Sequence, residues 1–212
     1  DMHYPYHSAE NVDIAINHGL KRGVTELVVA GDGCDMEAIS YWFSKELRDV
    51  PFEDELELAK VELNKLASYF TLCRKIYILG IHESRLLSYV CQNARKIKNI
   101  KIGGKALASV KDLLDLDAMG FEYVDNLELI QNGLKAFHIG KLYILHGDEP
   151  PKVTYSAINP AKLYYERLYT SAVVFHLHRS SEWIVSKPLD GTFDGCWTGG
   201  CLCAMSPNYA VI

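Results

Sequence analysis

The apolar positions of the chain fall into short solid runs, separated by longer stretches in which they recur every three or four residues. Val12, Ala15, Ile16 and Leu20 stand at helical spacing behind Ser8, whose hydroxyl suits a helix start, and the pattern stops at Gly23, so a helix is predicted between them. Leu27-Val-Val-Ala30 reads as a short apolar strand ending on Gly31-Asp32. Helices are predicted over about 36–48 and 53–70, broken by Pro51, and a second strand, Ile76 to Leu79, leads to Gly80. Helices follow over about 84–97 and 107–117. Leu129 to Gly147 reads as two strands with a turn near Gly140, the second being Leu142 to Leu145. A helix over 161–169 precedes the strand Ala172 to Phe175, and short strands near 182–187 and 194–203 close the chain. Helices alternating with wholly apolar strands indicate an α/β core with a sheet covered on both faces, to which the later strands add antiparallel pairs.

With 212 residues, 49% hydrophobic and 23% charged, the chain has material for a full buried core. It contains no repeat, low-complexity tract or linker-like stretch, so residues 1–212 read as a single domain. No apolar run approaches the ~20 residues needed to cross a bilayer, and no signal peptide is visible, which leads to the expectation of a cytoplasmic chain without a membrane partner. A net charge of −5 argues against a surface built to coat nucleic acid, while leaving room for a local basic groove. The cysteines at 34, 73, 91, 196, 201 and 203 read as free thiols rather than a disulfide framework. Cys196, Cys201 and Cys203 in "CWTGGCLC" offer three zinc-type ligands, but no fourth follows at a familiar spacing, so ordinary strand and turn cysteines are favoured.

The chemistry lies where the strands end, as expected of α/β sheets. The first apolar run ends in Asp32, with Asp35 three residues on; the second ends in His82 and Glu83. The next ends in His146, followed by Gly147-Asp148, and the last runs into His176-Leu-His178. Asp1-Met-His3 repeats that one-residue gap, and in an extended chain residues two apart project from the same face. A lone strand-end histidine is usually a satisfied surface or core group, and Asp-Gly is often only a turn. Here, however, five of the eight histidines (3, 82, 146, 176 and 178) sit at these points, leaving His7, His18 and His138 as ordinary ones. Mixed Asp and His ligands suit Mn²⁺, Zn²⁺ or Fe²⁺, with Ni²⁺ also compatible, rather than Ca²⁺. There are enough for two ions if one carboxylate bridges them, and two ions ~3.5–4 Å apart clamp a phosphoryl group and sharpen water into a nucleophile. Because no strand precedes Asp1, the sequence is expected to be the remainder of something longer at its N-terminus.

In order and spacing these motifs resemble the calcineurin-like metallophosphoesterase superfamily. Its pattern of Asp-x-His, Gly-Asp-x-x-Asp, Gly-Asn-His-Glu, a lone His and Gly-His-x-His is met by Asp1-Met-His3, Gly31-Asp32-Gly-Cys-Asp35, Gly80-Ile-His82-Glu83, His146 and Phe175-His-Leu-His178. The tail "GGCLCAMSPNYA" and the early "HYPYH" further resemble compact phage and bacterial members. The resemblance implies a two-sheet sandwich flanked by helices, with a dinuclear site at the strand ends. It assigns Asp1, His3, Asp32 and His178 to one ion, and Asp32, as bridge, with His146 and His176 to a second. His82 becomes the general acid beside the leaving group, partnered by either Asp35 or Glu83, and Arg85 or Arg179 would neutralise a phosphate oxygen. The implied reaction is in-line attack of metal-bound hydroxide on a phosphate ester, without a phosphoenzyme. Two positions depart from the pattern: Ile81 replaces an asparagine ligand, weakening the second ion, and Phe175 replaces a close-packed glycine.

Three readings follow: a metal-dependent phosphoesterase, a binding module that keeps the fold without turnover, and a bare α/β domain. Retention of His82 favours the first, since a module needing only metal does not require an acid beyond the ligands. The substrate class stays open among monoesters, diesters, nucleic acid and phosphoprotein, as does the oligomeric state. The region 36–70, with Tyr41, Trp42 and Phe43, is expected to be a cap, its aromatic cluster more often packing than a base-stacking platform.

Overall fold

The computed structural model describes residues 1–41, 50–150 and 157–204. The mixed α/β class expected from the apolar pattern is what it contains. Its residues gather into two compact units: an N-terminal one of Met2–Tyr123 with the chain from Leu202, and a C-terminal one of Val124–Cys201 with Asp1.

In the N-terminal unit, α1 (Ala9–Arg22) starts and stops where the sequence predicts. The Ser8 hydroxyl accepts the Asn11 amide at 3.4 Å, and Gly23 takes the left-handed conformation (φ 60°) that ends helices. The strand β1 (Glu26–Ala30) leads, after the long helix α2 (Phe52–Tyr69), to β2 (Arg74–Ile78), which pairs with β1 in parallel from Glu26↔Arg74 to Ala30↔Ile78. The helix α3 (Ile81–Asn93) begins three residues earlier than predicted, directly on Gly80, so that His82 and Glu83 lie in its first turn.

Beyond α3 the predicted helix over 107–117 contracts to the single turn α4 (Val110–Leu113), capped by Ser109. It is preceded by a hairpin not expected from the sequence, β3 (Lys101–Ile102) with β4 (Lys105–Ala106), and followed by β5 (Phe121–Val124), which completes a three-stranded sheet in the order β1-β2-β5. Of the helix predicted over 36–48, the structure shows a 3₁₀ turn at Glu37–Ile39; Trp42 and Phe43 of the expected cap lie outside the described residues. Val12 and Ile16 of α1, Leu56, Leu63 and Leu66 of α2, and Leu86 and Val90 of α3 share one core with Tyr77. Each large aliphatic side chain so buried contributes roughly 1.5–3 kcal/mol. Within this apolar surround Glu55, 2% exposed, accepts the Met36 amide, and burial pushes its carboxyl up to about 7.

The C-terminal unit opens with α5 (Asn126–Gln131), where a strand was expected from Leu129. Asp125 caps this helix by accepting the Glu128 amide at 2.9 Å, and the cap overrides the strand-like alternation of Leu127 and Leu129. A five-stranded sheet follows in the order β6 (His138–Ile139), β7 (Leu142–Leu145), β8 (Ala172–Val174), β10 (Thr192–Thr198), β9 (Ser181–Lys187). The central pairs β7–β8 and β8–β10 are parallel, and the outer pairs β6–β7 and β9–β10 antiparallel. Over it lies α6 (Pro160–Leu168), whose Ala161 and Tyr164 are buried with Ala172, Val174 and Cys196. Cys196 is thus a core residue of β10, and the cysteines form no disulfide. No helix among the described residues is long and apolar enough to cross a membrane.

Candidate metal centre

In the N-terminal unit the loop after β1 carries Asp32 and Asp35, and the segment Met2–Tyr4 is laid alongside it. The amides of Met2 and His3 both donate to the Asp32 carbonyl at 2.9 Å, Tyr4 donates to Gly33 at 2.8 Å, and Asp35 donates back to Tyr4 at 3.0 Å. This ladder brings His3 to the strand end. Its Nδ1 lies 2.8 Å from Asp35 Oδ1, and its Nε2 faces Asp32 Oδ2 at 3.9 Å. His82 arrives from the first turn of α3: its Nδ1 lies 2.8 Å from the Asp35 carbonyl and 3.3 Å from Asp35 Oδ1, and its Nε2 is 3.8 Å from Asp32 Oδ2. The His3 and His82 rings meet edge to face at 4.5 Å. His3, Asp35 and His82 each offer a ligand-type atom within 4.8 Å of the others.

Two further contacts fix Asp32. Its Oδ1 accepts the His82 amide at 2.8 Å, capping the α3 N-terminus, where the helix dipole favours a negative charge. Gly80 makes this possible, since a Cβ there would collide with the Asp32 amide and carboxylate. Glu83, 1% exposed, holds the loop from behind, accepting the amides of Asp32 (3.0 Å), Cys34 (3.0 Å) and Gly80 (3.1 Å) and the Tyr77 hydroxyl (2.7 Å). Of the two carboxylates offered as partner to His82, therefore, Asp35 touches the imidazole and Glu83 is committed to the backbone.

The electrostatics separate the two histidines. Burial lowers the pKa of His3 despite the hydrogen bond to Asp35, which favours the neutral imidazole that ligates metals. Burial also pulls at His82, but the hydrogen bond to Asp35 and the charges of Asp32 and Asp35 outweigh it and raise its pKa. Asp35 is itself pushed up by burial and pulled down further by its two histidine hydrogen bonds, to about 2, and so stays charged. Arg85 donates to the Asp35 carbonyl at 2.9 Å, and its Nη2 lies 3.1 Å from His82 Nε2, which as the partner of a guanidinium must accept.

In the C-terminal unit, Asp1 Oδ1 stands 3.7 Å from His146 Nδ1 and 3.7 Å from His178 Nε2, while Oδ2 accepts the His176 amide at 3.1 Å. The rings of His146 and His176 meet at 5.0 Å. The His-x-His pair is not extended, as its spacing suggested: His176 (φ 63°) and His178 (φ 55°) are both left-handed, so they part toward His146 and Asp1 respectively. Gly199 makes room for the Phe175 ring beside this turn; a Cβ there would stand 2.5 Å from Phe175 Cε1. Arg179 donates to the Ala157 carbonyl at 2.8 Å. Ile81, 39% exposed at the start of α3, presents no ligand atom.

Two observations bear on metal. Ligands each ~2.1 Å from one ion stand ~3–4 Å apart, and the separations of 3.9 Å between Asp32 and His3 Nε2, and of 3.7 Å from Asp1 to His146 and to His178, are beyond a hydrogen bond and within that range. His82 Nε2, 3.8 Å from Asp32, meets the same measure, so distance alone does not set it apart from the ligands. Moreover, four of the seven described non-glycine residues with positive φ are His3 (54°), Asp32 (47°), His176 and His178. Left-handed backbone at such residues costs on the order of 1 kcal/mol each and gathers at functional sites. The residue types, spacing and strain fit borderline divalent cations.

Sequence reasoning missed Glu149, Asn126 and Tyr77 as supports of these loops, and offered Glu83 only as a partner for His82. A signal was present: Glu83 and Glu149 each stand three residues after the strand-end residues Gly80 and His146, the spacing at which a glutamate reaches back to a backbone amide. No protein-family model matches the chain, and no curated protein matches it.

Proposed function

We propose that the chain is a metal-dependent phosphoesterase, a hydrolase that uses divalent transition-metal ions (Mn²⁺, Zn²⁺ or Fe²⁺) held by the Asp and His groups of its two units. The observation that carries the reading is the set of 3.7–3.9 Å carboxylate–imidazole separations of Asp32 with His3 and of Asp1 with His146 and His178, together with the left-handed backbone of His3, Asp32, His176 and His178. The same reading carries the proposal of the helix-flanked two-sheet sandwich that the resemblance implies; its support is the mixed α/β class of the chain. Asp1, His3, Asp32, His146, His176 and His178 are the proposed ligands. The ions, when bound, supply a nucleophile at neutral pH and positive charge for the phosphoryl oxygens.

His82 is the proposed general acid. Asp35 holds its Nδ1 and raises its pKa; its Nε2, which accepts from the Arg85 guanidinium in the substrate-free chain, is the atom proposed to carry a proton to the departing oxygen once Arg85 turns to the phosphate. Arg85, beside that nitrogen, is placed to steady a phosphate oxygen; Arg179 is kept as a second candidate. The expected result for His82→Ala is retained metal with turnover down ~10²–10⁴-fold on alkyl phosphates, and a much smaller loss on nitrophenyl phosphate, whose leaving group needs no proton. Equal losses on both substrates contradict the assignment.

The binding-module reading finds support in Ile81, which leaves a ligand position of the resembled pattern without an oxygen. On that reading metal binds and neither substrate turns over.

A further inference from the structure

The backbone that carries the His146 ring is held by a side chain with no ligand role in the proposed reaction. Glu149 Oε1 accepts the His146 amide at 3.0 Å, and Oε2 accepts the Gly147 amide at 2.7 Å. Behind the carboxylate lies Asn126, 1% exposed, whose Nδ2 donates to Glu149 Oε1 at 2.9 Å and to the Ile144 carbonyl at 3.2 Å. The Asn126 Oδ1 accepts the Phe137 amide at 2.8 Å, which ties the carboxylate to the chain entering β6 as well as to β7. On the far side the buried Tyr164 hydroxyl donates to the Gly147 carbonyl at 3.0 Å. Both oxygens of Glu149 and both ends of the Asn126 amide are engaged.

We infer that Glu149, backed by Asn126, is a positioning residue that sets the direction in which His146 offers its imidazole to a divalent cation. Two successive amides bound to one carboxylate fix the Cα–Cβ direction of His146, and its fully buried ring then has little freedom beside His176. Loss of an outer group that orients a ligand in this way typically lowers metal affinity roughly 10–100-fold. The inference rests on the reading of His146 as a ligand. A merely structural Glu149 would set the stability of the fold and leave the metal affinity of the folded chain unchanged.

The test compares the full chain with Glu149→Gln and His146→Ala, measuring Zn²⁺ affinity by calorimetry and amide hydrogen exchange by NMR in the metal-free state. Glutamine turns one of the two oxygens into a donor facing a backbone N–H, so exchange at His146 or Gly147 should quicken about tenfold, and Zn²⁺ affinity should fall roughly 10–100-fold. Should Glu149→Gln not fold, Asn126→Ala, which removes the backing and leaves the carboxylate, is expected to show the same two changes in weaker form. Loosened amides with parental Zn²⁺ affinity, or unchanged amides, overturn the inference while His146→Ala still loses affinity. Parental affinity in His146→Ala overturns the ligand reading, and the inference with it.

Discussion

Asp32→Asn is expected to abolish turnover and lower divalent-metal affinity at least ~10²-fold while the fold stays intact. Asparagine keeps an oxygen at Oδ1 to accept the His82 amide, so the α3 cap survives, and it tolerates the left-handed φ of 47° better than most residues. What it loses is the charge and the second oxygen, the atom that faces the Nε2 atoms of His3 and His82 at 3.9 and 3.8 Å. Asp32→Ala is the less informative variant. It also removes the cap, at about 1 kcal/mol, and places a Cβ without compensating hydrogen bonds in left-handed backbone. Calorimetric titration of the parent and Asp32→Asn with Mn²⁺, beside their melting temperatures, checks the expectation. Equal affinity in the two proteins means that Asp32 is no ligand.

Glu83→Gln is expected to be the most destabilising single change near the site, by ~3–5 kcal/mol. The carboxylate is 1% exposed and satisfies three amides and a hydroxyl. A glutamine can accept through only one atom, and its amide group must point at least one N–H toward another. Each buried donor left so costs ~1–3 kcal/mol, and the loop that shapes Asp32 and Cys34 loosens with it. Urea unfolding of the metal-free proteins measures the difference without interference from binding. A loss below ~1 kcal/mol contradicts the bracket assigned to Glu83.

What could be read from the chain, and what could not, follows from the range of each interaction. Ser8 and Gly23 bound α1 by local chemistry, and the apolar runs of β1, β2, β7 and β8 announce themselves by burial on both faces. The hairpin β3–β4 also had a local signal, since Gly103-Gly104, both with positive φ, form its two-residue turn, yet its strands are too short to show alternation. Leu127 and Leu129 gave α5 the look of a strand because the deciding contact is one cap, from Asp125. Candidate ligands were legible because they occupy strand ends. Their supports were legible only in part: the three-residue spacing of Glu83 from Gly80 and of Glu149 from His146 marks their local contacts, but Glu83 also reaches amides up to 51 residues away and Asn126 acts 23 residues from Glu149, and spacing does not report such pairings. Nor did spacing foretell the left-handed backbone at His176 and His178, which parts two residues that an extended chain would hold on one face.

The central claim is metal-dependent hydrolysis, and one measurement reaches it directly. The purified chain is stripped with chelator, and its turnover of nitrophenyl phosphate and of a bis-nitrophenyl diester is followed as Mn²⁺, Zn²⁺ or Fe²⁺ is returned, with bound metal determined at each point. The account predicts that hydrolysis of at least one ester disappears with the metal and comes back in step with its binding. Hydrolysis that survives exhaustive chelation, or metal that binds fully without restoring turnover of either ester, contradicts it.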